Sequence, residues 1–153
     1  KSPFLLDAYH NNPEATQACY HEGYFTVGDM ARVDEEGYYY IVDRAVDMII
    51  SGGVNIYPAE IEELLYTHPS VFDAGIVGIP DPDWGERIVA YVVPRQGARL
   101  TEADIVNFVA AHLASYKKPK EVYFVDELPY SPSGKLLKRE LRDGYVEKKG
   151  MTV

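Results

Sequence analysis

With 153 residues, 46% of them hydrophobic and 25% charged, the chain can bury one core, or one small domain plus a piece of another. Its formal net charge of -9, from 24 acidic against 15 basic residues, argues against nucleic acid as a partner, because phosphate-backbone binding needs a basic face. Cys19 stands alone, which rules out an internal disulfide or a cysteine metal cluster and fits a cytoplasmic protein; no apolar run reaches the roughly 20 residues of a transmembrane span.

The chain opens at Lys1, in mid-pattern, and reads as a piece of something longer. Phe4-Leu5-Leu6 is too short for a signal-peptide core and is followed by Asp7. Up to about residue 23 the pattern is loop and short helix, with Asn12 as N-cap and Pro13 at the first helical position. Tyr24 to Ala31 reads as a strand, Asp34-Glu35-Glu36-Gly37 as a hairpin turn and Tyr38 to Val42 as the return strand. Asp43-Arg44 then breaks the pattern with two charges and marks a domain boundary.

Met48-Ile49-Ile50 is a short strand, Ser51-Gly52-Gly53 a tight turn, and Val54 to Tyr57 a second short strand. Pro58 opens a helix with Glu60, Glu62 and Glu63 near its positive end and an apolar stripe of Ile61, Leu64 and Leu65. His68-Pro69 ends it. Val71 to Pro80 and Ile88 to Val93 are apolar strands expected to pair across the turn Asp81-Pro82-Asp83. Thr101 and Asp104 have the spacing of a capping box, and Ile105, Phe108, Val109 and Leu113 give the helix that follows its buried face. Val122 to Val125 is a last strand, Leu136 to about Val146 a last helix, and the tail from Glu147 to Gly150 is expected to fray.

Between that strand and helix lies Pro129-Tyr130-Ser131-Pro132-Ser133-Gly134-Lys135, read as an open loop that holds an ammonium near its backbone. An ammonium so held can meet phosphate or carboxylate oxygens. The glycine spacing is not that of a phosphate-cradling P-loop. Tyr116-Lys117-Lys118-Pro119-Lys120 is the one basic cluster in an acidic chain. His10, His21, His68 and His112 fall in no metal-ligand spacing, so no metal site is assigned. Trp84, at a strand entry, is read as a packing residue.

Three stretches together carry a resemblance: Tyr24-Phe25-Thr26-Val27-Gly28-Asp29, the run from Asp43-Arg44 through Ser51-Gly52-Gly53 to Glu62, and the Lys135 loop. In this order and spacing, from about Leu6 to Leu141, the chain resembles the C-terminal part of the adenylate-forming enzymes: acyl-CoA synthetases, carrier-protein-linked adenylation domains and luciferases. The resemblance implies an α+β fold: a small C-terminal domain with a three-stranded sheet, a short hairpin and flanking helices. It divides the chain into the end of a large adenylation domain (1–42), a hinge (43–44), a mobile C-terminal domain (45–148) and a tail (149–153). It implies a ligase that uses ATP to turn a carboxylate, such as a fatty acid, into an acyl-adenylate. A thiol, usually that of coenzyme A, then displaces AMP, and the small domain swings between the two steps. The alternatives are an adenylation domain that loads a carrier-protein thiol, and a luciferase-like or interaction-only relative.

The same resemblance implies roles by residue. Lys135 is the catalytic lysine of adenylation. Asp29 accepts the ribose hydroxyls and Arg44 reaches the nucleotide, while Asp43 is the pivot. Ser51, Gly52 and Gly53 line the path of the pantetheine arm, and Lys117 and Lys118 lie near the coenzyme A phosphates. Mg2+ would be held mainly by the upstream domain, which is also the implied partner of this one. Without it the fragment is expected to be inactive in adenylation. Acylation of Lys135 by a lysine acyltransferase is a further implied interaction.

Overall fold

A computed structural model describes Leu5 and residues 7–150. Lys1, Phe4, Leu6 and the end of the tail, 151–153, lie outside the described residues. The chain forms two compact units, residues 1–46 and 47–153. Among the described residues no helix is long and apolar enough to cross a membrane.

The first unit holds α1 (Pro13–Ala18) and two small hairpins. Asn12 caps α1 by accepting a hydrogen bond from the Ala15 N–H at 3.0 Å, as Asn before Pro predicts. The stretch expected as one strand from Tyr24 is divided. Tyr20–His21 (β1) pairs with Tyr24–Phe25 (β2), and a separate strand runs over Asp29–Val33 (β3). The interruption is Gly28, whose φ of 77° is outside extended backbone. Tyr39–Arg44 (β4) pairs with β3 across the Asp34–Gly37 turn, and Gly37 has the positive φ expected there. The return strand does not stop at Val42. Asp43 and Arg44 continue it, opposite Met30 and Asp29.

The second unit is built on a five-stranded sheet. Ile49–Ser51 (β5) and Val54–Ile56 (β6) form the short hairpin, and Pro58–Tyr66 is α2. Val71–Asp81 (β7) and Gly85–Pro94 (β8) form the long central hairpin. Glu102–His112 is α3, whose Thr101–Asp104 capping box is present in both directions. Glu121–Phe124 (β9) lies parallel to β8. Lys138–Lys149 is α4. The short hairpin is not apart from the larger sheet: Ser51 pairs with Gly85, so β5 joins β8.

Side chains on β7 and β8 alternate between two apolar clusters, as a period of two requires. Ala74, Ile76, Ile88, Ala90 and Val92 meet Ile61 and Leu65 of α2 and Ile105 and Val109 of α3. Val77, Ile79, Val89, Tyr91 and Val93 meet Leu128 and, from α4, Leu141 and Tyr145. Burial on both faces explains the nearly unbroken apolar runs of these strands. Each fully buried Ile, Val or Leu contributes about 1.5–3 kcal/mol relative to exposure.

Helix α4 runs past the point where fraying was expected. It reaches Lys149, and Gly150 ends it in a left-handed conformation. Its anchor is Glu121, whose carboxylate accepts hydrogen bonds from the hydroxyls of Tyr123 (2.7 Å) and Tyr145 (2.8 Å) and pairs with Arg87 (3.1 Å) and Lys149 (3.4 Å). Burial alone would raise the Glu121 pKa, but the two hydroxyls and the Lys149 ammonium overcome it and hold the group below its ordinary value. Burial, followed by the Glu121 carboxylate, pushes the Tyr145 phenol up to about 12. A depressed carboxylate pKa adds stability that is fully present above the unfolded-state pKa and is lost as pH falls through the folded-state value. Glu121→Gln is therefore expected to lower Tm at pH 7, by about 1–2 kcal/mol of unfolding free energy, and to flatten the fall in Tm below about pH 4.5. Thermal melts of both chains from pH 7 to pH 3 check this, and parallel Tm curves would refute it.

Candidate functional site

Three patches carry the predicted site residues, each within one unit. The first lies on the β3–β4 hairpin. Asp29 and Arg44 are register partners, and the Arg44 Nε lies 3.4 Å from the Asp29 Oδ1. Arg44 also donates to the Val27 carbonyl at 3.0 Å. Two residues expected to meet a nucleotide are thus brought side by side, and both are exposed. A carboxylate can accept two hydroxyls at once, and a guanidinium beside it adds donors for phosphate. Asp43, next in the strand, is half-buried and accepts a hydrogen bond from the Arg44 N–H at 2.7 Å.

The second patch is the β5–β6 turn. Gly52 and Gly53 have φ of 58° and 77°, a region that side chains with a Cβ rarely adopt. The two differ in their surroundings. A Cβ on Gly53 would have open space around it, whereas one on Gly52 would sit 2.8 Å from Cε3 of Trp84. The Gly52 N–H donates to the Trp84 carbonyl at 2.8 Å. The indole, 54% exposed, therefore lies directly over the turn. Lys120 sets its ammonium 5.7 Å from the centre of the same ring. Packing is thus only part of what Trp84 does: it walls the glycine turn. Sequence reasoning missed that, since nothing in the spacing of Gly52 and Trp84 signals the contact.

Near this patch the basic cluster divides. Lys117, in a short 3-10 turn (Ser115–Lys117), pairs with Glu60 of α2 and is mostly covered. Lys120 faces the indole. Lys118 is half-buried. Beneath the turn, the Glu86 carboxylate accepts a hydrogen bond from the Ile50 N–H at 2.6 Å and so ties β5 to β8.

The third patch holds Lys135. Its loop is closed, not open. Tyr130 and Leu136 form an antiparallel bridge. Between them the Ser131 N–H donates to the Lys135 carbonyl (2.8 Å), the Gly134 N–H to the Ser131 carbonyl (2.9 Å), and the Lys135 N–H to the Ser131 Oγ (3.1 Å). Gly134 takes a φ of 76°, the left-handed residue that closes a small hairpin of this kind. Helix α4 starts only at Lys138, because Leu136 is committed to the bridge and the Leu137 N–H donates to the Pro129 carbonyl at 2.8 Å. Lys135 is exposed at the end of this hairpin.

The hairpin is docked on β7, the edge strand of the sheet. Leu136 packs into the cluster below, over Gly75; a Cβ on Gly75 would lie 3.0 Å from both Leu136 and Leu141. Lys138 pairs with Glu62 at 2.8 Å, and the same carboxylate accepts the Ile76 N–H at 2.8 Å. Glu62 was expected to serve the helix dipole of α2. It instead turns to the outer edge of β7 and covers a backbone donor that no strand pairs.

The family model for the AMP-binding enzyme C-terminal domain matches residues 60–135. A long-chain-fatty-acid–CoA ligase, FadD13 of Mycobacterium tuberculosis, is 47% identical over 145 residues, which are 95% of this chain and 29% of the relative. A 2-succinylbenzoate–CoA ligase of Bacillus cereus is 48% identical over 93% of this chain and 29% of its own length. The solved structure of ATP-bound MatB from Rhodopseudomonas palustris is similar with a TM-score of 0.86 at 38% identity, covering 95% of this chain and 29% of that one. The chain thus spans under a third of the length of these relatives. Together with the α+β fold and the three patches, these likenesses make the chain a member of the adenylate-forming enzyme superfamily, through its AMP-binding enzyme C-terminal domain.

Proposed function

We propose that the chain is the C-terminal part of an AMP-forming acyl-CoA ligase. ATP and a carboxylic acid give an acyl-adenylate and pyrophosphate, and coenzyme A then displaces AMP to give the thioester. The observation that carries this is the Lys135 hairpin, which is internally hydrogen-bonded, docked on β7, and presents one exposed ammonium. Relatives named as CoA ligases support the acceptor. Lys135 offsets negative charge as the carboxylate oxygen attacks the α-phosphate. Asp29 and Arg44 hold the ribose and phosphate of the nucleotide. The Gly52-Gly53 turn, walled by Trp84, lets the pantetheine arm pass close to backbone, and Lys118 and Lys120 supply charge for the coenzyme A phosphates. A long-chain acid is the first substrate class to try, with aryl acids second. The magnesium that accompanies ATP takes no ligand assigned to this chain. Acylation of the exposed Lys135 amine would remove the charge that adenylation needs, and so would switch off that step alone.

The test is the pair of half-reactions in the full-length ligase: ATP–pyrophosphate exchange for the first, thioester formation from pre-made acyl-adenylate for the second. Failure of both with every acid and thiol tried would refute the reading.

Asp43 as the pivot belongs to the same proposal. Proline there fixes φ near -65° and removes a backbone donor. Because Asp43 lies inside β4, Asp43→Pro is expected to loosen the β3–β4 hairpin as well as to block one half-reaction. The unit spanning 47–153 should keep its Tm. Both steps at normal rates would place the pivot elsewhere.

A further inference from the structure

We propose that Asp73 and Tyr130 form a brace that sets the position of the Lys135 ammonium during adenylation; this rests on the reading of Lys135 given above. Tyr130 is the residue at the base of the hairpin, bridged to Leu136. Its hydroxyl donates to the Asp73 Oδ2 at 2.8 Å. Asp73 is held from its other side: its Oδ1 lies 3.1 Å from the Tyr66 hydroxyl of α2 and accepts the Ala74 N–H at 2.8 Å. Asp73 is therefore a fixed acceptor on the edge strand, tied to α2, and Tyr130 transmits that fixed point to the hairpin.

The other anchors of the hairpin are Leu128, buried two residues before Tyr130, and, beyond Lys135 in sequence, Leu136 over Gly75 and Lys138 on Glu62. Without the Tyr130 hydroxyl the first arm would lose its polar tie to β7 and keep only the apolar contact of Leu128 with the sheet, and the Lys135 ammonium would gain freedom normal to the sheet edge. A displacement of about 1 Å at a reacting group can cost up to 100-fold in rate. Burial, followed by the hydrogen bond to Asp73, pushes the Tyr130 phenol up to about 12, so the donor keeps its proton at working pH. Tyr130 and Asp73 touch neither substrate nor nucleotide in this scheme. They are positioning residues.

The test has a local arm and a catalytic arm. In the 153-residue chain, Tyr130→Phe should speed amide hydrogen exchange at Lys135 and Leu137, whose N–H groups hold the hairpin closed, with the α2 and α3 amides unchanged. Unchanged exchange at Lys135 and Leu137 would overturn the brace, whatever the chemistry. In the full-length ligase, Tyr130→Phe should lower kcat for ATP–pyrophosphate exchange by about tenfold, with KM for ATP and the thioester step unchanged. Asp73→Ala should match it, and Asp73→Asn, which keeps one acceptor, should lose less. Tyr130→Phe added to Lys135→Ala should cost nothing further. Equal losses in both half-reactions, or full additivity with Lys135→Ala, would reduce Tyr130 to a stabilising residue and overturn the proposal. Should Lys135→Ala itself leave adenylation intact, the role of Lys135 fails first and the catalytic brace with it.

Discussion

Lys135→Ala in the full-length ligase is expected to lower acyl-adenylate formation by about 100- to 1,000-fold, the usual cost of removing one preorganised group that stabilises transition-state charge. Nothing in the fold should suffer. Lys135 is exposed, and the bonds that close its hairpin use the backbone of residue 135, not its side chain. The loss should appear in kcat. Lys135→Arg should recover little, because a planar guanidinium on a longer stem does not place a compact charge at the same point. A loss of less than about threefold in pyrophosphate exchange would mean that the hairpin presents Lys135 to something other than the reacting phosphate.

The second large effect is expected at the β5–β6 turn, with the opposite selectivity. Gly53→Leu should slow thioester formation by at least about tenfold while pyrophosphate exchange survives. The added side chain enters open space within its own unit, so it meets no wall there, and the fold cost is the left-handed backbone, about 1–2 kcal/mol. Gly52→Ala acts differently. Its Cβ would press on Trp84, 2.8 Å away, and shift the indole and the Lys120 ammonium over it. Trp84 is the one tryptophan in the sequence, so its fluorescence reads this shift directly. Both variants should leave Lys135 chemistry intact. Normal coenzyme A turnover by Gly53→Leu would leave the turn a plain hairpin.

Much of this architecture could be read locally. Asn12 and Thr101-x-x-Asp104 state helix starts through bonds made within a few residues, and Pro58 states one through its fixed φ; each stands where expected. The apolar runs of β7 and β8 state a buried sheet. What escaped were features made by residues far apart. The Tyr130–Asp73 bond joins positions 57 apart, the Trp84–Gly52 contact joins positions about 30 apart, and the Glu121 cluster gathers residues of β8, β9 and α4. Such contacts leave no period and no spacing to detect. The Lys135 loop was misread for the opposite reason. Pro, Ser and Gly describe a turn well, but they do not tell an open loop from a closed one. Here the Ser131 hydroxyl and backbone close it. The residues proposed to act through their side chains, Asp29, Arg44 and Lys135, were picked out by the resemblance. Asp73, Tyr130 and Glu62, which contact the Lys135 hairpin and the helix start beside it, were not.

The most direct measurement gives pre-made acyl-adenylate and coenzyme A to the Lys135→Ala ligase and follows thioester formation. A division of labour between the Lys135 hairpin and the Gly52-Gly53 turn predicts a rate within about twofold of the unsubstituted enzyme, alongside a Gly53→Leu enzyme that is slow in the same assay. A Lys135→Ala enzyme that is as impaired here as in pyrophosphate exchange would contradict that division.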